Sequence, residues 1–484
     1  MKQVPRLLVV LALPAIITLL TGCQGIVAVP ASPTPAPTPT LSTSVNHIIF
    51  MLQENRSFDS YFGKLNDYRA GTFNAGRDVD DVESTFINLD DNGNPVFSFH
   101  FGTSCIFSDT AAWQESWGDM NRFDAPNGPL LLDGFVHTGG LFAADNNVAD
   151  TRGLRAMGFY NGGDLTLPYW FATQFATSDR FYTPAPLQTE VVRLWALAAT
   201  SQGFVHPLSE TGSHLSATTI FQLLDGAGIT WKIYSVDRDS FGQLITELRN
   251  FQPYGLNQES RIVPIAEYFT DLQNGTLPQF VYIEPGFNSN LDEHPGEGTH
   301  IQNGAKFVGG LITALVNSTS WKDSVFIEAF DEGGGLFDHV GPMIDGQPIQ
   351  ALAVGSAGQA VGPGKYPTDA VLMHVPNPDG IPPSDLRPTD PAGDFTRTGF
   401  RVPVIIVSPF SKPNYVSHTP MDYTAVLKFV ETRFNLPHLN QRDSGQPDLD
   451  EFFDFVNVPN LHPPMPPTQP TSLTCNALFA SGQL

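Results

Sequence analysis

Two adjacent carboxylates, Asp331 and Glu332, stand directly after a short apolar run at 325–330 and before three glycines at 333–335. A run of this length and composition predicts a buried strand, and the glycines allow a turn that larger side chains would obstruct. Open α/β sheets bind ligands outside the carboxyl ends of their strands, and two hard oxygen ligands at such an edge suit a divalent cation. On this stretch alone, an acidic turn after a core strand is an equally good interpretation.

Three further groups of residues whose side chains could take part in a reaction follow predicted strands or open a predicted helix. Glu54 and Asn55 come after a predicted first strand, Thr189 begins a predicted helix, and His294 follows another predicted strand. The first two residues and the carboxylate pair described above supply oxygen ligands for one hard metal ion. A hydroxyl beside such a metal can be deprotonated to a nucleophile, a helix start favours an anion such as phosphate, and a histidine can protonate a leaving oxygen. The set predicts metal-assisted ester hydrolysis at phosphorus or sulfur.

Alternating strands and helices must position these residues. Apolar runs predict strands, and apolar spacing of three and four residues predicts helices. The predicted strands are 45–52, 229–234, 279–283, 325–330 and 402–407, and the predicted helices are 165–180, 189–199, 217–225, 303–317 and 422–434. This alternation predicts an α/β fold, a three-layer sandwich with a mainly parallel central sheet covered on both faces.

Composition sets limits on the partners. The 484 residues carry a net charge of −24, with 49 Asp and Glu against 25 Lys and Arg. Such a chain lacks the basic surface with which proteins neutralise nucleic-acid phosphates, so nucleic acid is excluded as a partner. The 43 glycines and 41 prolines predict long connections within a globular protein.

The N-terminus has the pattern of an export signal. Lys2 and Arg6 precede an apolar run at 7–20 that is short for a membrane span. The sequence LTGC at 20–23 resembles a bacterial lipoprotein signal, with cleavage before Cys23 and lipid on its sulfur; an ordinary signal peptide is the alternative. Residues 24–44 are rich in Pro, Ser and Thr and predict an extended tether. An exported location would allow Cys105 and Cys475 to pair.

Three segments together resemble the signatures of the bacterial and plant phosphoesterase family, which includes the non-specific phospholipases C and related acid phosphatases. Residues 47–63, HIIFMLQENRSFDSYFG, resemble the first signature, and 331–340, DEGGGLFDHV, resemble the second. Residues 400–409, FRVPVIIVSP, resemble the third. The similarity spans about 45–455 in the family's order.

The resemblance implies an alkaline-phosphatase-like fold with one divalent metal ion. By position, the metal ligands would be Glu54, Asn55, Asp331 and Glu332. The phospholipase branch has its nucleophile in a Thr-x-Pro-Asn-Arg motif, which places Thr189 as nucleophile and Arg193 as the motif's Arg, whereas Val191 and Val192 replace Pro and Asn. His294 is the candidate acid, and the substrate contacts would come from Asn55, Arg193 and His339.

Each of these residues also has a purely structural interpretation. Glu54 and Asn55 can cap a helix, Thr189 can be an N-cap, and His294 can be a solvated loop residue. His339 can orient Asp338 or the glycine loop instead of meeting substrate.

We therefore expect a lipid-anchored, extracytoplasmic phosphoesterase. The leading interpretation is a phospholipase C-like phosphodiesterase with a threonine nucleophile, acting on a phospholipid head group or a small phosphoester. The alternatives are an acid phosphatase acting on monoesters, and a catalytically degenerate surface binding lipoprotein. The expected organisation is a signal peptide at 1–22, a tether at 23–44, a phosphoesterase domain at 45–456 with insertions at about 64–150 and 341–400, and a Pro-rich tail at 457–484. The second insertion follows the glycine segment and is expected to form a lid.

Overall fold

Strands and helices alternate through most of the chain in the computed structural model. It describes residues 39–475 except 83–85, 105, 108–110, 124–125, 129, 209–214, 256–258, 297–299, 347–374 and 378. The predicted signal peptide, Cys23, most of the tether, Cys105 and much of the expected lid lie outside these residues.

The strands of the described residues are named in chain order. They are β1 His47–Gln53, β2 Ile87–Leu89, β3 Pro95–Phe97, β4 Phe99–His100, β5 Gly158–Phe159, β6 Ala176–Ser178, β7 Phe181–Tyr182, β8 Trp231–Ser235, β9 Ile262–Pro264, β10 Phe280–Glu284, β11 Ser324–Phe330, β12 Val404–Val407, β13 Tyr415–Ser417 and β14 Met421–Asp422.

The α-helices follow the same convention. They are α1 Leu41–Ser44, α2 Phe58–Phe62, α3 Leu65–Phe73, α4 Trp113–Met120, α5 Phe135–Asp145, α6 Thr166–Gln174, α7 Thr189–Ala198, α8 Ile220–Ala227, α9 Ala266–Asn274, α10 His300–Val316, α11 Thr424–Phe434 and α12 Gln441–Ser444.

An eight-stranded sheet in the order β13-β6-β12-β11-β1-β10-β8-β9 forms the centre of the fold. Neighbouring strands are parallel except where β12 pairs antiparallel with β11 and β6. Strands β10 and β11 are buried along their whole length, as expected for a sheet covered on both faces. The predicted mainly parallel α/β fold is confirmed. Because β1, β10 and β11 run in parallel, the residues that follow them meet at one edge of the sheet.

One predicted helix is too long. The helix expected at 165–180 ends at Gln174, and residues Ala176–Ser178 form β6, which pairs with β12 and β13. At residues 175–178 the apolar spacing fits both the period of a helix, about 3.6 residues, and the two-residue period of a strand. The spacing therefore could not distinguish one long helix from a helix followed by a strand. Pairing with strands more than 200 residues away decides the outcome.

Both ends of the described chain pack against the sheet domain. Leu41 of α1 is buried, so ordered structure begins within the last residues of the predicted tether. In the tail, the Gln469 side chain donates to the Asp164 carbonyl at 2.7 Å and accepts from the Leu167 amide at 3.0 Å. Cys475 is disulfide-bonded, and its partner lies outside the described residues. Within 39–475, with the gaps given above, no helix has the length and apolar character needed to cross a membrane.

Candidate active site

The carboxyl edge of the sheet joins the ends of β1 and β11. The backbone amides of Asn55 and Glu332 donate to Oδ1 of Asp331, at 3.0 and 2.8 Å. Asn55 adopts a left-handed backbone conformation with φ of 57°, which asparagine tolerates better than most residues. These bonds hold the Glu-Asn and Asp-Glu pairs together, although some 275 residues separate them.

The glycine turn after β11 is required by the close approach of β1. Gly334 has φ of +68°, and a Cβ atom built on it would lie 2.5 Å from the carbonyl oxygen of Asn55. Its amide donates to Oε2 of Glu332. A side chain at this position would therefore push apart the two strand ends that carry the candidate ligands.

Thr189 lies opposite these strand ends as the first residue of α7. Its hydroxyl oxygen is 3.3 Å from Oε2 of Glu54 and 3.3 Å from Oδ1 of Asn55. Val191 and Val192, which replace the Pro and Asn of the motif, are fully buried and point into the core. The two substitutions thus lie in the packed side of the helix, and Thr189 faces the cleft.

Arg193 lies one turn further along α7, beneath the strand ends. Its fully buried guanidinium donates to Oε1 of Glu54 at 2.8 Å and to Oδ2 of Asp331 at 3.1 Å. It also reaches Oε2 of Glu284, at the end of β10, at 3.5 Å. The ring of Phe287 lies 5.2 Å from the guanidinium carbon. Arg193 therefore orients the carboxylates from behind and does not line the cleft.

The charges at this edge fit a divalent cation. The pKa values of both Glu54 and Glu332 are raised, mainly because the side chains are buried and secondly because of the negative charge of Asp331. Such carboxylates are costly to ionise together without a nearby positive charge, and Arg193 supplies only one for three of them. The donor set of carboxylate, amide and hydroxyl oxygens is the kind that hard cations prefer. The types of donor therefore fit the metal that the sequence predicts, whereas the carboxylate oxygens of Glu54, Asp331 and Glu332 do not all lie within 4.8 Å of one another in the described residues.

His294 lies in the same cleft with one ring nitrogen facing it. Its Nδ1 donates to the carbonyl oxygen of Pro295 at 2.7 Å, so Nε2 is the nitrogen that gains and loses a proton. Burial lowers its pKa, which makes the protonated ring a stronger acid toward a leaving group and reduces the fraction of the ring that is protonated at a given pH.

The cleft has a volume of about 540 Å³. Of the residues predicted from the sequence, it is lined by Glu54, Asn55, Thr189, His294 and Glu332. Residues that sequence reasoning missed also line it: Ala111, Phe142, Gln188, Glu190, Ile245, Glu247, Phe287 and Asn288. Most of these lie in loops or at helix starts without a periodic signal. Glu284 was also missed, although its position at a strand end could have revealed it by the same rule that revealed Asp331.

A comparison with known families decides the assignment. The family model described as "Phosphoesterase family" matches residues 45–437. The chain belongs to this family. It is therefore a hydrolase that acts on phosphate esters, and the family predicted from the three signatures is confirmed.

Relatives of this phosphoesterase are found in bacteria and plants. It is 28% identical over 473 residues to phospholipase C B of Mycobacterium tuberculosis, covering 88% of this chain and 81% of that protein. It is 27% identical to non-specific phospholipase C5 of Arabidopsis thaliana, covering 83% and 73%. Against the non-hemolytic phospholipase C of Pseudomonas aeruginosa the identity is 26%, covering 90% and 60%. Among solved structures, a protein of the alkaline phosphatase superfamily from Vibrio parahaemolyticus shares 12% identity over 86% of this chain and 74% of that chain, with a TM-score of 0.33.

His339 does not line the cleft of this phosphoesterase. The ring is buried, with Nδ1 2.7 Å from Asp59 and Nε2 3.1 Å from Asp80. Arg401 donates to Asp59 and to Asp338, both at 2.9 Å. This arrangement supports the structural interpretation of His339, in which it ties the glycine segment to α2.

Two groups of described residues have ligand atoms close enough to hold a metal ion. They are Asp59 with Asp338 and His339, and Glu431 with His438 and Asp443. In the first group, the guanidinium of Arg401 already bridges the two carboxylates. The carboxylates of the cleft are not among these groups; they are preferred for a metal that touches substrate because Glu54, Asn55 and Glu332 line the same cleft as Thr189.

Proposed function

We propose that this phosphoesterase hydrolyses phosphodiesters in the manner of a phospholipase C, with Thr189 as nucleophile. The observation that carries the proposal is the position of the Thr189 hydroxyl, 3.3 Å from an oxygen of Glu54 and from one of Asn55, at the start of a helix. A divalent metal ion held by Glu54, Asn55, Asp331 and Glu332 would lower the pKa of that hydroxyl and polarise the phosphoryl oxygens.

The residues of the cleft supply the remaining chemistry. Thr189 gives its proton to solvent water in the cleft and attacks phosphorus, and the helix start beside it stabilises the negative phosphoryl oxygens. As the bond from phosphorus to the alcohol oxygen breaks, Nε2 of His294 protonates that oxygen. A water molecule then attacks the phosphothreonine and gives a proton to His294. The products are a free alcohol and a phosphomonoester, and Thr189, which leaves phosphorus as an alkoxide, regains its hydroxyl with a proton from solvent water.

The cleft walls favour a diester over a monoester. Four glutamates line the cleft, namely Glu54, Glu190, Glu247 and Glu332, and the described lining residues include no lysine or arginine. Glu54 and Glu332 would bind the metal and burial raises the pKa of Glu247 to about 8, so Glu190 is the main source of repulsion. A phosphomonoester carries nearly two negative charges at neutral pH, whereas a diester carries one, so this repulsion is stronger for the monoester. The names of the phospholipase C relatives agree with this preference. An acid phosphatase acting on monoesters is the alternative that the experiment below separates.

The test compares two aryl esters, p-nitrophenylphosphorylcholine and p-nitrophenyl phosphate. We expect a higher kcat/KM for the diester with the wild-type protein. Asp331→Asn should lose both bound divalent metal and turnover, by about 10³-fold or more if the metal supplies its usual stabilisation. Glu190→Gln, in the exposed wall of the same cleft, is the matched control and should keep its metal. Full turnover by metal-free protein would contradict the metal site, and faster monoester cleavage would favour the acid phosphatase.

We also propose that the protein is exported and held at a membrane by lipid on Cys23. The support is the basic, apolar and LTGC sequence pattern at 2–23 followed by the Pro-rich tether.

A further inference from the structure

A second set of buried polar side chains lies beneath the candidate active site. It consists of Gln53, Tyr61, Glu293 and Glu328, each at most 2% exposed. In the register of β1 and β11, Gln53 faces Phe330 and Met51 faces Glu328. Since side chains alternate between the two faces of a sheet, Gln53 and Glu328 point to the same face. The mechanism proposed above uses none of the four.

These side chains approach one another from several elements. The amide of Gln53 donates to Oε1 of Glu293 at 3.2 Å. The ring of Tyr61, from α2, lies 4.8 Å from the ring of Phe330, which neighbours Glu328 on the same face of β11. A Cβ atom on Gly304 of α10 would lie 2.2 Å from Cγ of Glu293, so α10 closes the set from below.

One oxygen atom of each side chain is buried without a hydrogen-bond partner in the described part of the chain. These atoms are Oε1 of Gln53, the hydroxyl of Tyr61, Oε2 of Glu293 and Oε1 of Glu328. A buried polar group without a partner costs about 1–3 kcal/mol, and more if it is charged. Glu293 interacts electrostatically with both Tyr61 and Glu328, so the four atoms lie in one buried region, where a shared ligand would satisfy them together.

The charge of the set identifies the class of ligand. Arg56 is the nearby cation; its Nε and Nη2 donate to the backbone carbonyl of Glu293, at 2.9 and 2.6 Å, and its Nη1 is a buried donor without a partner in the described residues. Two carboxylates and one guanidinium leave one negative charge. Burial raises the pKa of Glu293 to about 8, and burial followed by the charge of Glu293 raises that of Glu328. With both carboxylates ionised, one additional positive charge would make the set neutral; below about pH 8 a proton on Glu293 supplies it when no cation is bound.

We propose that Gln53, Tyr61, Glu293 and Glu328 bind one dehydrated monovalent cation, Na⁺ or K⁺. A shared proton would bridge two oxygens only, whereas a cation coordinates all four, and amide, phenol and carboxylate oxygens are ligands for hard cations. The bound ion fixes Glu293, whose φ is +66°, and thereby the segment that carries His294. This site is separate from the divalent site of the cleft, and it is independent of whether Thr189 is the nucleophile.

The test measures the thermal midpoint of the full protein, with its divalent metal bound, in three chloride salts of equal ionic strength. The salts are those of Na⁺, K⁺ and N-methyl-D-glucamine, whose cation is too large for the site. We expect Na⁺ or K⁺ to raise Tm by roughly 2 °C for each tenfold increase above its Kd. Glu328→Gln should abolish this dependence. Glu115→Gln, which removes a partly buried carboxylate whose pKa is also raised by burial, is the matched control and should keep it.

Equal wild-type Tm values in the three salts would overturn the proposal, as would a dependence that Glu328→Gln retains. If Glu328→Gln fails to fold, wild-type crystals soaked in rubidium chloride decide the matter. An anomalous peak within coordination distance of Glu293 and Glu328 supports the site. If no anomalous peak is present and the two carboxylates are in hydrogen-bond contact, they share a proton, and the cation site is contradicted.

Discussion

At the scale of single residues, the chemistry depends on which atoms face the cleft. The hydroxyl of Thr189 and the ring of His294 do so, whereas the guanidinium of Arg193 and the ring of His339 are buried in ion pairs. Residue type and motif position could assign Thr189 and His294 before the structure was known. They could not separate a buried arginine from a substrate-binding one, because that depends on where Glu54, Asp331 and Glu284 end up in three dimensions.

The role of His294 as an acid leads to a prediction about leaving groups. A p-nitrophenolate ion leaves without a proton, whereas an alkoxide such as that of diacylglycerol needs one. We expect His294→Gln to slow hydrolysis of a phosphatidyl ester by about 10²–10⁴-fold and to change that of the p-nitrophenyl diester far less. The measurement is kcat on both substrates, and His462→Gln, in the exposed tail, is the control. Equal losses on the two esters would argue that His294 only shapes the cleft.

At the scale of elements, parallel strands and the start of α7 create the site. The apolar runs and the turn residues predicted the strand ends within a few positions, because β1, β10 and β11 are buried almost throughout. The strand β6 was missed, since its three residues form a strand only through their pairing with β12 and β13. The contact of His339 with Asp59 and Asp80 was equally hidden, because more than 250 residues separate His339 from each of them.

That contact predicts a dependence of stability on pH. Burial opposes protonation of His339, but the charges of Asp59 and Asp80 and their hydrogen bonds outweigh it and raise its pKa to about 10. Since the unfolded value is about 6.5, the protonated ring stabilises the fold fully below about pH 6.5. This stabilisation falls as the pH rises and is lost above about pH 10.

Urea unfolding of the wild type and of His339→Gln measures this contribution. We expect the variant to be less stable by about 3–5 kcal/mol near neutral pH, because it leaves buried carboxylates without their partner. The difference between the two proteins should shrink as the pH approaches 10. A difference that stays constant with pH would mean that the ring contributes through packing and not through its charge.

At the scale of the whole molecule, the expectations about substrate charge and about the lipid anchor rest on the composition and on the N-terminal sequence pattern. The net charge of −24 and the absence of basic residues among the described lining of the cleft agree in disfavouring highly anionic substrates. The predicted signal peptide, Cys23 and the tether up to residue 38 lie outside the described residues, so the expectation of a lipid anchor rests on the sequence pattern.

The anchor predicts where the protein is found. After expression in a bacterium that processes lipoproteins, the wild type should fractionate with membranes and enter the detergent phase of Triton X-114. Cys23→Ser should instead remain an unprocessed precursor or, if cleaved elsewhere, enter the aqueous phase, with the folded domain unchanged. Ser32→Ala, a substitution in the predicted tether that keeps Cys23, is the control. Processing and detergent partitioning of Cys23→Ser identical to those of the wild type would contradict the anchor.

The most direct test of the account is to look for phosphate on Thr189 during turnover. The protein, with its divalent metal bound, is mixed with p-nitrophenylphosphorylcholine, quenched in acid within the first turnovers and digested for mass spectrometry. We predict a phosphoryl group carrying its choline ester on the peptide that contains Thr189, together with a burst of p-nitrophenol. Thr189→Ala should lose both and turn over about 10³-fold more slowly or worse. Undiminished turnover by Thr189→Ala would contradict the central claim.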